Sequence, residues 1–294
     1  MHIYDVIIIG EGPAGISAAL YTIRANLDTL VIGSEIGALA KAERIENYYG
    51  LAELISGKDL HENGVRQVER LGGIHVREEV VGIEYMGHFA VKTLVGSYEA
   101  RTVLIATGAP VIRVPVKGLQ LFEGRGVSYC TTCDGFFHRG KPVGVIGYND
   151  YGVHEAEELL AFTNQVTLFT NGRQMELSDA SRAKLASFTL METPISELLG
   201  EEVLGGVRLQ DGRTIHLSGL FIAYGTASGA TFALKMGIEM DGQSIKVDGG
   251  MATNIPGLFA AGDVTGGFRQ VAVAVGQGAL AGRHIIEHVR MLKS

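Results

Sequence analysis

The chain has 294 residues, with 41 glycines, 46% hydrophobic residues and a net charge of −7 at pH 7. This length allows two modest domains with a core each, and the abundant glycine is typical of an α/β protein with many tight turns. The acidic balance argues against a nucleic-acid partner and a polybasic membrane anchor, since both need clustered basic side chains. No leader segment is apparent, and the first apolar run, Val6–Ile9, is far too short to cross a bilayer. We therefore expect a cytoplasmic protein that contacts neither nucleic acid nor membrane.

The first 35 residues predict a strand, a glycine turn, a helix and a second strand in succession. Asp5–Ile9 is typical of a buried parallel strand, and residues 10–15 read Gly-Glu-Gly-Pro-Ala-Gly. A helix is predicted from Ile16 to about Ala25 and a strand over Thr29–Ile32, and Glu35 stands 20 residues after the last glycine of the turn. This is the dinucleotide-binding fingerprint in the strand–helix–strand context that it requires.

The residues of this fingerprint have distinct physical roles. Gly10 makes the turn, Gly12 lets the backbone approach a pyrophosphate, and Gly15 lets the helix pack against the strand. The N-terminal end of the helix attracts the phosphate charge. Glu35 can bind a ribose hydroxyl.

The same unit recurs in the middle of the chain. Val143–Ile146 predicts a strand, residues 147–152 read Gly-Tyr-Asn-Asp-Tyr-Gly, Val153–Phe162 predicts a helix, and Val166–Phe169 predicts the second strand. The repeat therefore predicts a second dinucleotide-type fold.

The nucleotide chemistry of the second copy is altered. Asn149 occupies the middle glycine position, where its side chain would obstruct the approach of a pyrophosphate. Gly172 stands where the first copy has Glu35, and Arg173 is a single cation where an NADP 2′-phosphate needs a positive group.

The remaining elements are less distinctive. Gln270–Leu292 predicts a packed C-terminal helix, and Gly172–Leu204 gives no clear pattern. Three further apolar strands are predicted to end in glycine turns, at residues 103–109, 220–225 and 258–264.

Both cysteines of the chain lie in one unit, Cys130-Thr131-Thr132-Cys133, which is followed by Asp134. A Cys-x-x-Cys unit can form a disulfide across a tight turn and lowers the pKa of one thiol. Half of a metal site and chance are the alternatives. A zinc site needs four ligands, and the sequence offers no second cysteine pair or close histidine pair, so we expect no metal. Two cysteines in a reducing compartment favour a redox-active dithiol.

Together these motifs closely resemble the low-molecular-weight thioredoxin reductase family of flavoproteins, through nearly the whole chain. The residues that carry the resemblance are Gly10–Gly15, Ile45–Gly50, Ala106–Ala109, Gly124–Gly135, and Phe259–Val264 with Arg269 and Gln270. The resemblance implies an α/β fold of two Rossmann-like, three-layer ββα dinucleotide-binding domains, the second inserted into the first. The expected FAD-binding domain covers residues 1–110 and 226–294, and the second domain, with the Cys-x-x-Cys unit, covers residues 111–225. A homodimer is also implied.

The resemblance also implies a cofactor site for FAD. The first fingerprint would bind the pyrophosphate, with Glu35 near the adenosine ribose and Asn47 near the flavin. Asp263 would hold the ribityl chain, and Gln270 would contact the isoalloxazine. The implied cofactor-binding residues are Gly10, Gly12, Pro13, Ala14, Gly15, Glu35, Asn47, Ala106, Thr107, Gly108, Gly262, Asp263 and Gln270.

Three residues would carry the catalysis in this resemblance. Cys133 would be the thiol against the flavin, and Cys130 the thiol that attacks the partner's disulfide. Asp134 would be the acid/base, although a carboxylate that only caps the turn is the alternative. His138 is interpreted as a loop histidine.

The chain departs from the family pattern at the NADPH site. The family usually has three glycines in the second turn and an arginine pair after the next strand, where this chain has Gly147-Tyr148-Asn149 and Asn171-Gly172. A Gly-Gln-Leu element that touches FAD reads Gly37-Ala38-Leu39 here. These gaps are similar to an NADPH-independent branch that includes ferredoxin-dependent flavin thioredoxin reductases. We therefore expect firm binding of FAD and poor or no binding of NADPH.

The expected function is the reduction of thioredoxin by electrons from a donor protein, a ferredoxin or a flavodoxin, through FAD and the Cys130–Cys133 dithiol. Arg125, Arg139 and Lys141 flank the dithiol and either form a basic docking patch or are ordinary solvated charge. Three other functions stay open: an ordinary NADPH-dependent thioredoxin reductase, a flavin-dependent dithiol oxidase, and a flavin-bound redox sensor.

Overall fold

The computed structural model describes residues 2–34, 36–109 and 114–294. The chain divides into two compact units, one formed by Met1–Pro110 with Ser228–Ser294 and the other by Val111–Ala227. The predicted fold class, an α/β protein with two Rossmann-like units, is confirmed. That the first unit binds FAD and the second is a degenerate nucleotide domain stays a prediction.

The first unit is built on one large sheet with helices packed against it. Its strands are β1 (Ile3–Ile9), β2 (Thr29–Gly33), β3 (Ile74–Arg77), β4 (Val80–Tyr85), β5 (Phe89–Thr93) and β6 (Ser97–Ile105). Its helices before the second unit are α1 (Pro13–Arg24) and α2 (Gly57–Arg70).

The second unit contains three helices and two sheets in its described part. Its strands are β7 (Val127–Ser128), β8 (Val143–Ile146), β9 (Val166–Phe169), β10 (Thr189–Met191), β11 (Ile195–Gly200), β12 (Leu204–Leu209), β13 (Thr214–His216) and β14 (Gly219–Ile222). Its helices are α3 (Thr131–Asp134), α4 (Asp150–Leu159) and α5 (Asp179–Lys184). The chain then returns to the first unit with α6 (Gly229–Met236), β15 (Met240–Asp241), β16 (Ser244–Ile245), β17 (Leu258–Ala260) and α7 (Val271–Lys293).

The register of the first sheet gathers several loops at one edge. The strand order is β3-β2-β1-β6-β5-β4, with β17 also paired to β6. Ile9 at the end of β1 pairs in parallel with Ile32 and with Ile105, and Ala260 of β17 pairs with Ile105 as well. The carboxyl ends of these parallel strands therefore meet, and this edge is where open α/β sheets bind their ligands.

Small residues let α7 lie directly against α1. A Cβ atom on Gly278 of α7 would stand 2.1 Å from the carbonyl oxygen of Ala14, closer than any real contact. Ala18 and Ala281, from the two helices, are both fully buried in the core of this unit. Backbones can approach this closely only where side chains are small, so the glycine and alanine content of the C-terminal helix is a packing requirement.

The second unit repeats the parallel arrangement on a smaller scale. Its main sheet has the order β10-β9-β8-β14-β7 with every pair parallel, and β11, β12 and β13 form a separate antiparallel sheet. The segment 172–204, which had no clear sequence pattern, contains α5, β10 and β11 and the start of β12.

The helix boundaries differ from the sequence expectations at two places. Helix α1 begins at Pro13 instead of Ile16, because a proline with its fixed φ and no N–H suits the first turn of a helix. Helix α4 begins at Asp150 instead of Val153, because the Asn149 side chain caps it.

Candidate functional site

A cleft of about 360 Å³ lies at the carboxyl edge of the first sheet. Most of the cofactor residues expected from the sequence line it, namely Gly10, Gly12, Pro13, Ala14, Asn47, Ala106, Thr107, Gly108, Gly262, Asp263 and Gln270. Gly37, Ala38 and Leu39, which replace the family's Gly-Gln-Leu element, line it too. Glu35 lies outside the described residues.

The glycines of the first turn are required by close backbone contacts. Gly10 has φ of +113°, and a Cβ there would stand 2.2 Å from the carbonyl oxygen of Ala106. A Cβ on Gly15 would stand 1.9 Å from the carbonyl oxygen of Gly10, so Gly15 supports the turn from below without lining the cleft. A Cβ on Gly12 would meet nothing within 4 Å, because this residue faces open space.

The unsatisfied groups of the cleft fit FAD. Helix α1 has Gly12 at its N-cap with no side-chain cap, so its first N–H groups are available for the pyrophosphate. The hydroxyl oxygen of Thr107 is buried without a hydrogen-bond partner, although a buried hydroxyl ordinarily has one. Arg44 and Arg269 also line the cleft and add positive charge for a cofactor that carries two phosphates.

Two amide side chains, those of Asn47 and Gln277, fix the cleft residues in the C-terminal part of the first unit. Asn47 Nδ2 donates to Gln270 Oε1 at 2.8 Å, which joins two residues 223 positions apart. Gln277 Oε1 accepts the N–H of Gly262 at 2.8 Å and so orients the turn before Asp263. Burial raises the pKa of the Asp263 carboxyl, and the charge of Arg269 opposes this effect without cancelling it.

Cys130 and Cys133 form the expected disulfide, with their Cα atoms 5.3 Å apart. β7 ends at Ser128 just before it, and α3 begins at Thr131 inside the Cys-x-x-Cys unit. The Cys130 sulfur accepts the N–H of Cys133 at 3.1 Å and thereby caps this short helix. Cys130 is only 3% exposed, whereas Cys133 is exposed. The separate roles expected for the two sulfurs stay predictions.

Asp134 is joined to the disulfide through one hydroxyl. Ser128 Oγ donates to Asp134 Oδ2 at 2.6 Å and accepts the N–H of Cys130 at 3.0 Å. A carboxylate with this contact has a fixed position beside the sulfur-bearing turn, which suits the expected acid/base. The sequence reasoning missed Ser128, although it lies two residues before Cys130.

A second carboxylate lies beneath the Cys-x-x-Cys turn. Thr131 Oγ1 donates to Glu155 Oε2 at 2.6 Å, and the two residues are 1% and 2% exposed. Glu155 belongs to α4, so this hydrogen bond fastens the redox turn to the helix of the second dinucleotide-type fold. No sequence signal distinguished Glu155 from the less buried carboxylates that follow it on the same helix.

His138 is also near this region and is half-buried. Its Nδ1 lies 3.1 Å from Ser218 Oγ, and its ring packs edge-on against Phe221. Burial, and then the charge of Lys141, lower the pKa of His138 below its usual value, while Asp134 acts in the opposite direction. Arg125, Arg139 and Lys141 are exposed, so the question of a basic docking patch stays open.

The second glycine turn is occupied by its own side chains. Asn149 Oδ1 accepts the N–H of Gly152 at 3.2 Å, and Asn149 Nδ2 donates to the carbonyl of Gly225 at 2.8 Å. The Arg173 guanidinium lies 4.8 Å from the centre of the Tyr148 ring, and Tyr224 packs edge-on against the same ring. The groups that would bind a second dinucleotide are therefore engaged with one another.

The described residues contain neither a metal-ion cluster nor a helix suited to cross a bilayer. Within residues 2–34, 36–109 and 114–294, no group of three or more His, Cys, Asp or Glu side chains is arranged to hold a metal ion. None of the helices in the described part of the chain has the length and apolar character that a bilayer span requires.

Comparison with known proteins links this geometry to one family. The profile of the pyridine nucleotide-disulphide oxidoreductase family matches residues 4–278. The thioredoxin reductase of Aquifex aeolicus is 35% identical over 295 aligned residues, which cover 95% of this chain and 91% of the relative.

Two solved structures are similar over almost the whole chain. The atypical thioredoxin reductase TRi from Desulfovibrio vulgaris Hildenborough has a TM-score of 0.94 and 41% identity, with 98% of each chain covered. A ferredoxin-flavin thioredoxin reductase from Clostridium acetobutylicum has a TM-score of 0.75 and 30% identity, with 100% of each chain covered.

Proposed function

Because the chain belongs to the pyridine nucleotide-disulphide oxidoreductase family, in its low-molecular-weight thioredoxin reductase group, we propose that it reduces thioredoxin with electrons from a donor protein instead of NADPH. It is a flavin-dependent disulfide oxidoreductase, and FAD is its cofactor. The proposed donor is a reduced ferredoxin or flavodoxin.

The observation that carries this proposal is the difference between the two helix N-termini. In the first turn, the N-terminus of α1 has no side-chain cap and opens onto the cleft. In the second turn, Asn149 caps α4 with its own carboxamide and is held by Gly225 as well. A pyrophosphate at α4 would have to displace this cap, and removing such a cap costs about 1 kcal/mol. The Arg173 guanidinium packs against the Tyr148 ring, and a 2′-phosphate would have to compete with this contact.

The names of two similar structures support the same conclusion. The Desulfovibrio protein is described as an atypical thioredoxin reductase, and one Clostridium protein is named a ferredoxin-flavin thioredoxin reductase. An ordinary NADPH-dependent enzyme is the second candidate, because the Aquifex relative at 35% identity is named simply a thioredoxin reductase.

The proposed chemistry is dithiol–disulfide exchange on this chain's own sulfurs. When bound, FAD supplies the exchange between one-electron donors and a two-electron dithiol. The reduced Cys130 thiolate attacks the thioredoxin disulfide and forms a mixed disulfide, and the Cys133 thiolate then displaces the second thioredoxin sulfur. Asp134 delivers a proton to the leaving thiolate. The two electrons of the dithiol thus pass to thioredoxin, and the Cys130–Cys133 disulfide forms again.

The energetics favour such a donor. Plant-type ferredoxins have potentials of about −400 mV, and thioredoxin has a potential of about −270 mV. A gap of roughly 130 mV corresponds to about 6 kcal/mol for two electrons, so the overall transfer is strongly downhill.

The test is an anaerobic titration of the FAD-loaded protein, followed by the flavin absorbance. We expect reduced ferredoxin to bleach the flavin while NADPH and NADH leave it oxidised. Prompt bleaching by NADPH would identify the ordinary reductase instead. The Tyr148→Gly/Asn149→Gly variant, which restores the three-glycine turn, is the matched positive control and should respond to NADPH better than the wild type.

Two further properties belong to this proposal. We expect a homodimer, which sedimentation of the FAD-loaded protein will test. We also expect a cytoplasmic location, because a reducing compartment keeps the product thioredoxin in its dithiol form.

A further inference from the structure

We propose that Glu11 is a positioning residue for FAD, held between His61 and His75 so that it fixes the loop that receives the cofactor's pyrophosphate. Glu11 lies between Gly10 and Gly12 in the first turn and lines the FAD cleft. Neither the redox chemistry nor the fingerprint requires an acid at this position. This inference depends on FAD binding and is independent of the electron donor.

The carboxylate of Glu11 joins three elements of the first unit. His75, on β3, donates from Nε2 to Glu11 Oε2 in a short hydrogen bond. His61, on α2, has its Nε2 3.3 Å from Glu11 Oε1, outside hydrogen-bond geometry. The side chains of Glu11, His61 and His75 are 2%, 1% and 7% exposed. We call these three residues the Glu11 triad.

The neighbouring strand is shaped around this carboxylate. A Cβ on Gly33, at the end of β2, would stand 2.4 Å from Cγ and 2.5 Å from Cδ of Glu11. Burying a carboxylate costs free energy unless the charge is paired. Gly33 leaves room for the Glu11 side chain, and His61 and His75 offset the cost of burying its charge.

The charges of the triad determine what its loss would do. Burial raises the pKa of Glu11, but the hydrogen bond from His75 and the charges of His61, His75 and Arg77 outweigh it, so the net pKa lies below its usual value. Burial lowers the pKa of His61, and the opposing charge of Glu11 does not cancel this effect. Glu11 is therefore ionised, and His75 is its hydrogen-bond partner.

The hydrogen bond from His75 anchors the loop to β3. Replacing Glu11 with glutamine removes the negative charge and thereby weakens this hydrogen bond, because hydrogen bonds to ionised groups are the stronger ones. The main loss is the anchoring of the loop that would receive the pyrophosphate.

Other charged groups face the same region and must be considered. Arg77 on β3 acts on both Glu11 and His61, while Arg44, Asp263 and Arg269 line the cleft itself. None of these is altered by the Glu11→Gln substitution. A change in the FAD affinity of that variant therefore reports on the triad.

His61 also borders a second cavity of about 220 Å³, which is lined by Glu11 and Gln67 among others. The Nδ1 atom of His61 is buried without a partner, and a cavity of this size can hold water.

The test measures the dissociation constant of FAD for the apoprotein by quenching of flavin fluorescence near neutral pH. We expect Glu11→Gln to weaken binding about tenfold, as for the loss of one hydrogen bond to a charged group. His75→Gln should show the same effect. The matched control is Glu84→Gln, which breaks the exposed ion pair with Lys92 on the same sheet.

Far-ultraviolet circular dichroism of each apoprotein tests whether the variant is folded. If Glu11→Gln does not fold, His61→Gln and His75→Gln decide the question, because they keep the carboxylate in place. The proposal is overturned if folded variants at 11 and 75 bind FAD with the affinity of the wild type. A result of that kind would leave the donor proposal untouched, since the donor is tested on the FAD-loaded wild-type protein.

Discussion

Ser128 donates a 2.6 Å hydrogen bond from its hydroxyl to Oδ2 of Asp134. The hydroxyl oxygen of Ser128 also accepts the N–H of Cys130, so a single side chain fixes both the proposed acid and the backbone of the proposed attacking cysteine. A general acid contributes typically 10²–10⁴-fold to a rate, provided that its geometry is correct.

We expect Ser128→Ala to slow thioredoxin reduction about tenfold, because it frees Asp134 to leave its position without removing it. Asp134→Asn should be slower still, and Ser128→Thr should recover part of the rate. Steady-state turnover with a saturating donor measures this. Ser218→Ala is the matched control, since that hydroxyl bonds to the Pro142 carbonyl in the same unit. Wild-type turnover in Ser128→Ala would show that the contact has no role in the reaction.

Replacing either Cys130 or Cys133 with serine should abolish thioredoxin reduction and leave FAD bound. Cys130 and Cys133 belong to the second unit, whereas every residue that lines the cleft proposed for FAD belongs to the first. The flavin absorbance of Cys130→Ser and Cys133→Ser, measured together with turnover, checks both statements. Retained turnover in either variant would contradict the dithiol mechanism.

Gly15→Ala should lower both the stability of the protein and its affinity for FAD, whereas Gly12→Ala should lower only the affinity for FAD. A Cβ at 15 would overlap the Gly10 carbonyl at 1.9 Å, so we expect a loss of stability of about 1–3 kcal/mol or more, together with loss of FAD. A Cβ at 12 meets open space, so the apoprotein should keep its stability while FAD binding weakens. Thermal unfolding of the apoproteins and FAD titration separate the two effects. Gly249→Ala, at an unobstructed position away from the cleft, is the control, and equal melting temperatures at 12 and 15 would contradict the expectation.

Thr131→Val should destabilise the second unit, whereas Thr132→Val should not. Thr131 supplies a hydroxyl to the buried Glu155 carboxylate, and leaving such a group short of a partner costs about 1–3 kcal/mol. Thr132 is exposed and is therefore the matched control. Urea unfolding of the two FAD-loaded variants measures the difference. Equal unfolding midpoints would show that Glu155 has enough other partners to compensate.

The first fingerprint was predictable because its signals are local. Gly10, Gly12 and Gly15 fall within six residues, and the strand and helix on either side are read from hydrophobic periodicity. The second turn was predictable for the same reason, and the interference expected from Asn149 appears as a helix cap together with a bond to Gly225. Helix starts were the less accurate part, because a proline or a capping side chain extends a helix beyond its apolar pattern.

The sequence by itself determined the two α/β repeats, the Cys130–Cys133 unit and the glycine turns, because these depend on neighbouring residues and on regular spacing. Only the tertiary structure decided which distant side chains meet. Glu11 finds His61 and His75, which are 50 and 64 positions away, because α2 and β3 are brought beside the first turn by parallel pairing of β2 with β3. Glu155 finds Thr131, 24 positions away, by the packing of α3 against α4. A carboxylate looks the same in a sequence whether it is solvated or buried, and its chemistry depends on the partners that folding places around it.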